Sequence, residues 1–123
     1  MNTYHDVKEF MTAAGQTRND AEQAKLYMRL VIEEYTELCN AFEQNDLVEI
    51  ADACADLKWV IEGLEHSLQL PQQQIWDEVN RSNLSKTVDG VLIKNPITGK
   101  VLKPATFSPP NIKKILEDNG LCG

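Results

Sequence analysis

The sequence predicts a mainly α protein: an antiparallel helical hairpin forming a four-helix-bundle core, followed by a small C-terminal β-hairpin and a short helix. Three observations predict it. Apolar residues recur at spacings of three and four over most of positions 1–86. The short Asn45-Asp46 connection between the two longest periodic stretches makes them antiparallel neighbours. Beyond Asp89-Gly90 the pattern changes to short apolar runs interrupted by Pro96 and Gly99. A chain of 123 residues fits one domain, 1–123, with the helical core over 1–86 and the hairpin and tail over 87–123.

Taken in order, residues 3–14 carry Tyr4, Val7, Phe10, Met11 and Ala14 on one face, and Gly15 stops the helix. Asn19 or Asp20 caps a second helix that runs to about Gln44, with Ala24, Tyr27, Met28, Val31, Tyr35, Leu38 and Phe42 as its stripe. Asp46 caps the third, with Glu49 placed as in a capping box. That helix, Leu47 to Leu70, buries Ile50, Ala53, Leu57, Val60, Ile61, Leu64 and Leu68. Pro71 opens a fourth helix with Ile75, Trp76 and Val79 inward. The segments VLIK and KVLK form the strands of a hairpin around NPITG, and Ser108-Pro109-Pro110 leads into a last helix closed by Gly120.

Composition narrows the function classes. The 12 basic and 19 acidic residues leave a formal charge of −7. A protein that tracks nucleic-acid phosphates needs a basic surface, so that class is disfavoured. No stretch is apolar enough to span a membrane or to read as an export signal. The odd set Cys39, Cys54 and Cys122 contains no CxxC pair. Cys39 and Cys54, on helical stretches, are expected as buried thiols in a cytoplasmic protein.

The chemistry-bearing residues are two acidic rows. Glu33, Glu34 and Glu37 lie on the second helix; Glu49, Asp52 and Asp56 lie on the third. Residues three or four apart share a helix face, so antiparallel neighbours can bring both rows together. Acidic helical faces are commonly just solvated. Here, however, Glu34 falls at the edge of the apolar stripe, with Glu37 further out and Glu33 furthest. Converging carboxylates repel one another unless cations intervene, and hard divalent ions take oxygen ligands of this kind. A di-iron bundle would need Glu-x-x-His pairs, and neither His5 nor His66 completes one. His66 is expected on a helix surface. No nucleophile elbow, P-loop or dinucleotide fingerprint occurs.

Cations gather elsewhere: Arg81 and Lys86, then Lys94, Lys100 and Lys103, with Asn83 among them. They read either as helix C-terminal and edge-strand charge or as a clamp for phosphate oxygens.

EEYTE followed by EIAD resembles the EExxE…ExxD signature of the MazG-like, all-α nucleoside triphosphate pyrophosphohydrolases. The resemblance is closest to their short phosphoribosyl-ATP pyrophosphohydrolase-like branch. VNRSNLSKTVDG and GKVLKPATFSPPNI resemble that branch's C-terminal tail, so the likeness covers residues 25 to 115. It implies that Glu34, Glu37, Glu49 and Asp52 ligate Mg²⁺ or Mn²⁺, and that Glu33 binds a further ion or orients the attacking water. Glu33, Glu34 and Glu37 are thus the catalytic set. Asn83 and Lys86, joined by Arg81 and Lys103, would contact the phosphates, and Asp56 would stand behind the ligands. The implied reaction is hydrolysis of a nucleoside triphosphate, with a dNTP expected, to monophosphate and pyrophosphate. Hydrolysis of phosphoribosyl-ATP and a non-catalytic nucleotide-binding or interaction module are the alternatives. The resemblance also implies a homodimer or homotetramer.

Overall fold

The computed structural model describes residues 1–121, which form five helices and one two-stranded sheet. The chain divides into two compact units, Met1–Gln72 and Gln73–Gly123.

The first unit holds α1 (Thr3–Ala13), α2 (Ala21–Glu43) and α3 (Leu47–Ser67). Each starts at a polar cap whose side chain accepts a backbone N–H three residues on, in the first turn of the helix: Asn2 from His5, Asp20 from Gln23, Asp46 from Glu49. Asn45, at φ 55°, takes the left-handed turn that reverses the chain, a conformation Asn tolerates well. The expected antiparallel hairpin follows, with α2 packed along α3 and α1 laid on α3. Thr3 Oγ1 donates to Glu62 Oε1 at 2.6 Å, fastening the start of α1 to α3.

The core is Val7 and Met11 from α1, Tyr27 from α2 and Val60 from α3, with Leu30, Val31, Leu57 and Leu64 packed around it. It is narrower than the apolar stripes imply. Met28, Tyr35 and Phe42 are exposed on α2, as are Ile61 and Leu68 on α3. The buried line of α2 runs through Ala24, Tyr27 and Ala41, about 100° around the helix from Met28. Glu34 lies between Tyr27 and Ala41 on that line, not at its edge. Two further expectations are corrected. His66 is buried, because its ring packs near Tyr4 and meets Arg18. Cys39 and Cys54 are exposed, since both lie off the contact face of the hairpin. Cys122 falls outside the described residues.

In the second unit, α4 (Gln72–Leu84) leads to β1 (Thr87–Val88) and β2 (Val91–Leu92), paired antiparallel as Thr87↔Leu92 and Val88↔Val91. Their turn is Asp89-Gly90, at φ 51° and 77°, the two-residue loop with positive φ that matches strand twist. The hairpin expected at VLIK and KVLK is reduced to a single bridge, Lys94↔Val101. Its loop is closed by the Asn95 N–H donating to the Lys100 carbonyl at 2.8 Å. Asn95 Oδ1 also accepts the N–H groups of Ile97 and Thr98, a side-chain turn that takes the place of further ladder. Trp76, expected inward, is exposed. Helix α5 (Ile112–Asp118) is capped by Asn111 and ends before Gly120, at φ 73°. Among the described residues no helix is long and apolar enough to cross a membrane.

Candidate functional site

The hairpin brings acids from both helices together. Carboxylate oxygens of Glu34 and Glu37 on α2 and of Asp56 on α3 lie within 4.8 Å of one another. The helical period explains the grouping: Glu34 and Glu37 are one turn apart, and α3 runs past them in the opposite direction. Oε2 of Glu34 is buried and, among the described residues, has no hydrogen-bond partner. Burial first, and then the charges of Glu37, Asp56 and Asp52, push the Glu34 carboxyl above its ordinary pKa. Asp56 is pushed up by the same kinds of cause: burial, then Asp52, then Glu37.

An unpartnered carboxylate oxygen beside further acids costs free energy unless a proton or a cation meets it. The donors are all oxygens drawn from two rigid elements, the set that hard divalent ions take. The residues therefore fit a cation of this class. This donor set can hold a metal ion.

The expected residues are distributed unevenly around this point. An open cavity of about 300 Å³ beside it is lined by Glu37, Glu49 and Asp52, together with Asn40, Gln44 and the small Ala41 and Ala53. Asp52 interacts with both Glu34 and Asp56. Glu49 shares the cavity wall but not the tightest group of oxygens. Glu33 is exposed and lies outside that group. Asp56, expected behind the ligands, is among the three converging acids. The signal for it was present, since Asp52 and Asp56 are four residues apart on one face. Asn40 and Gln44 were not singled out in the sequence; they continue the Glu37 face toward the hairpin turn.

In the second unit, Lys86 Nζ donates to Asn83 Oδ1 at 3.1 Å and lies 5.6 Å from the centre of the Phe107 ring. Lys103 Nζ lies 5.2 Å from the same centre. Both are cation–π distances, so one ring gathers two ammonium groups. Arg81 is engaged differently, in a forked pair with Glu78 at 2.7 and 3.0 Å.

A packed helical hairpin of this kind has the fold of the all-α pyrophosphohydrolase class, and here its two arms also converge carboxylates on one point. The family model for phosphoribosyl-ATP pyrophosphohydrolase matches residues 4–83, more than half of the chain, and the chain belongs to that family. The match covers the whole acid-bearing hairpin and ends at Asn83. A search of the curated proteins found no match. The likeness carried by EEYTE and EIAD is thereby borne out, and membership implies pyrophosphohydrolase activity on a nucleotide.

Proposed function

We propose that the protein hydrolyses a nucleoside triphosphate, with a deoxynucleoside triphosphate expected, between its α and β phosphates, and that Mg²⁺ or Mn²⁺ is required. The observation that carries this reading is the convergence of Glu34, Glu37 and Asp56, with one oxygen of the Glu34 carboxylate buried and, among the described residues, unpartnered. In this proposal Glu34, Glu37, Glu49 and Asp52 hold the cation, and Asp56 joins them. When bound, such cations offset phosphate charge and activate water. Glu33, outside the tight group, is assigned the orientation of the attacking water. Asn83, Lys86 and Lys103 are assigned the phosphate oxygens. Positioning and fixed charge supply the acceleration in such a site, so no Ser or Cys nucleophile is required.

Apolar side chains left outside the core, Ile32, Tyr35 and Phe42 on α2, support a homodimer or homotetramer as the working form.

Phosphoribosyl-ATP is a second substrate reading, favoured by the description of the matching family. The tail segments from Leu84 onward lie outside the family match and resemble that same phosphoribosyl-ATP pyrophosphohydrolase-like branch, so the choice between the two substrates rests on the assay. The test is pyrophosphate release from canonical and damaged ribo- and deoxyribonucleoside triphosphates and from phosphoribosyl-ATP, each with Mg²⁺, Mn²⁺ or EDTA. Metal-dependent release from one or a few triphosphates supports the proposal. Release from phosphoribosyl-ATP alone replaces it with the second reading, and no release from any of them sinks both.

A further inference from the structure

Arg81 has the wrong surroundings for a phosphate ligand. Its guanidinium charge is already matched by Glu78 in the forked geometry that makes such pairs strong. The same Nη2 donates to the Pro109 carbonyl at 3.2 Å and reaches the Ser108 carbonyl at 3.5 Å. Glu78 completes the loop from the other side, its Oε2 accepting the backbone N–H of Asn111 at 2.7 Å. Just past the end of α4, Ser85 Oγ accepts the Ser108 N–H at 2.8 Å, and the Ser85 carbonyl accepts from Thr106 Oγ1 at 3.3 Å.

These bonds fasten segment 106–111 along one face of α4. Phe107 is part of that segment, and its ring is where the ammonium groups of Lys86 and Lys103 meet. Two like charges held at one ring repel each other, and an anion such as phosphate relieves that repulsion. Where the ring sits therefore decides whether the two cations stay together.

We infer that Glu78 and Arg81 are positioning residues, which fasten segment 106–111 to α4 and thereby hold Lys86 and Lys103 together at Phe107 for phosphate. This rests on the phosphate-binding part of the proposed function, and it removes Arg81 from direct phosphate contact. The strength of the clip shows in Glu78, whose carboxyl is pulled down to about 2 by Arg81 first and by the Asn111 N–H second.

The test compares Glu78→Gln, Arg81→Ala and the double variant in the full-length protein. It reads KM and kcat for pyrophosphate release and the amide exchange rates of Ser108 and Asn111. Each single variant is expected to raise KM about tenfold with kcat nearly unchanged, and the double variant to be no worse than either, because one unit is broken once. Both amides are expected to exchange faster in all three variants. Direct phosphate contact by Arg81 gives a different split: Arg81→Ala raises KM while Glu78→Gln, which releases the guanidinium, leaves or lowers it. That split overturns the inference. So does unchanged amide exchange, or faster exchange with unchanged KM. A wild type that turns over nothing counts against the proposed function instead, and the Kd for inorganic pyrophosphate then replaces KM in the same comparison.

Discussion

The Tyr27 ring lies against the bare Cα of Gly63, so closely that a Cβ placed on Gly63 would overlap the ring. This is the close crossing of α2 and α3, and it sets the register of the acids. Glu34 follows Tyr27 by about two helical turns, and Asp56 precedes Gly63 by about two. Two turns along antiparallel neighbours from one contact point bring the two carboxyl groups face to face. The hydroxyl of Tyr27 donates to Gln16 Oε1 at 2.7 Å, which holds the ring in place.

Gly63→Ala is therefore expected to destabilise the protein. Helix propensity alone would favour alanine by up to about 1 kcal/mol. Overpacking a tight contact costs about 1–3 kcal/mol, and here the neighbour is a buried ring that is hydrogen-bonded at its far end. The net loss should appear as a lower midpoint in thermal or urea unfolding. A midpoint that is unchanged or raised would show that the ring moves aside without cost.

Cation binding should be visible without turnover. Mg²⁺ at about a hundred times its Kd adds about 2.7 kcal/mol to a protein that binds it only when folded, a shift of several degrees for a domain of this size. Glu34→Gln and Asp56→Asn should each abolish that shift. Without metal, the same variants should be at least as stable as the wild type, because each removes a charge held beside others and partly out of water. Scanning calorimetry with Mg²⁺ and with EDTA checks both halves. An Mg²⁺ shift that survives Asp56→Asn would remove Asp56 from the site.

How far the sequence disclosed these relationships depended on the kind of signal. Helix caps and the hairpin were legible because Asp20, Asn45 and Asp46 act locally, through their own backbone neighbours. The acid rows were legible because spacing on a helix fixes a face. What one helix cannot show is which part of its stripe its neighbour covers. Ile61 and Leu68 fit the stripe of α3 and are exposed, while Gly63 carries no side chain and marks the actual contact. The motif ends at Asp52 and so favours Glu49 over Asp56, whereas the crossing at Gly63 selects Asp56. Arg81 carries a cation in a basic stretch; its bonds to the Ser108 and Pro109 carbonyls depend on a return of the chain that no local pattern encodes. Asp89-Gly90 is a local signal of the same kind, since Asp-Gly is itself a hairpin turn.

Burial of His66 predicts acid sensitivity. Its Nδ1 lies 3.3 Å from Arg18 Nη1, which also reaches the Tyr4 hydroxyl, while Nη2 donates to the Leu70 carbonyl. Burial first, and then the positive charges of Arg18 and Lys8, hold the imidazole below its ordinary pKa of 6.5. A depressed histidine binds its proton more readily in the unfolded chain, so its contribution is complete above that value and is lost as pH falls below it. Stability should therefore decline on acidification from about pH 7, and more steeply in the wild type than in His66→Gln. Unfolding midpoints measured across that range decide the matter; parallel profiles for the two proteins would place the acid sensitivity elsewhere.

The last expectation sets two acids against each other. The EExxE…ExxD pattern makes Glu49 a ligand and leaves Asp56 one turn beyond it, but the oxygens of Asp56 converge with those of Glu34 and Glu37. Glu49 faces the adjoining cavity, where a longer side chain at the start of α3 has room to move. Asp56→Asn removes the one α3 charge in the group of converging oxygens that includes Glu34. Its cost in kcat/KM should be about a hundredfold or more, and that of Glu49→Gln nearer tenfold, the range spanned by groups that support metal sites from further out. Pyrophosphate release measured over a range of Mg²⁺ concentrations separates the two. The Mg²⁺ requirement should rise more for Asp56→Asn. The reverse order would mean that Glu49 swings into the site when cation and substrate are both bound, leaving Asp56 to set the charge around Glu34.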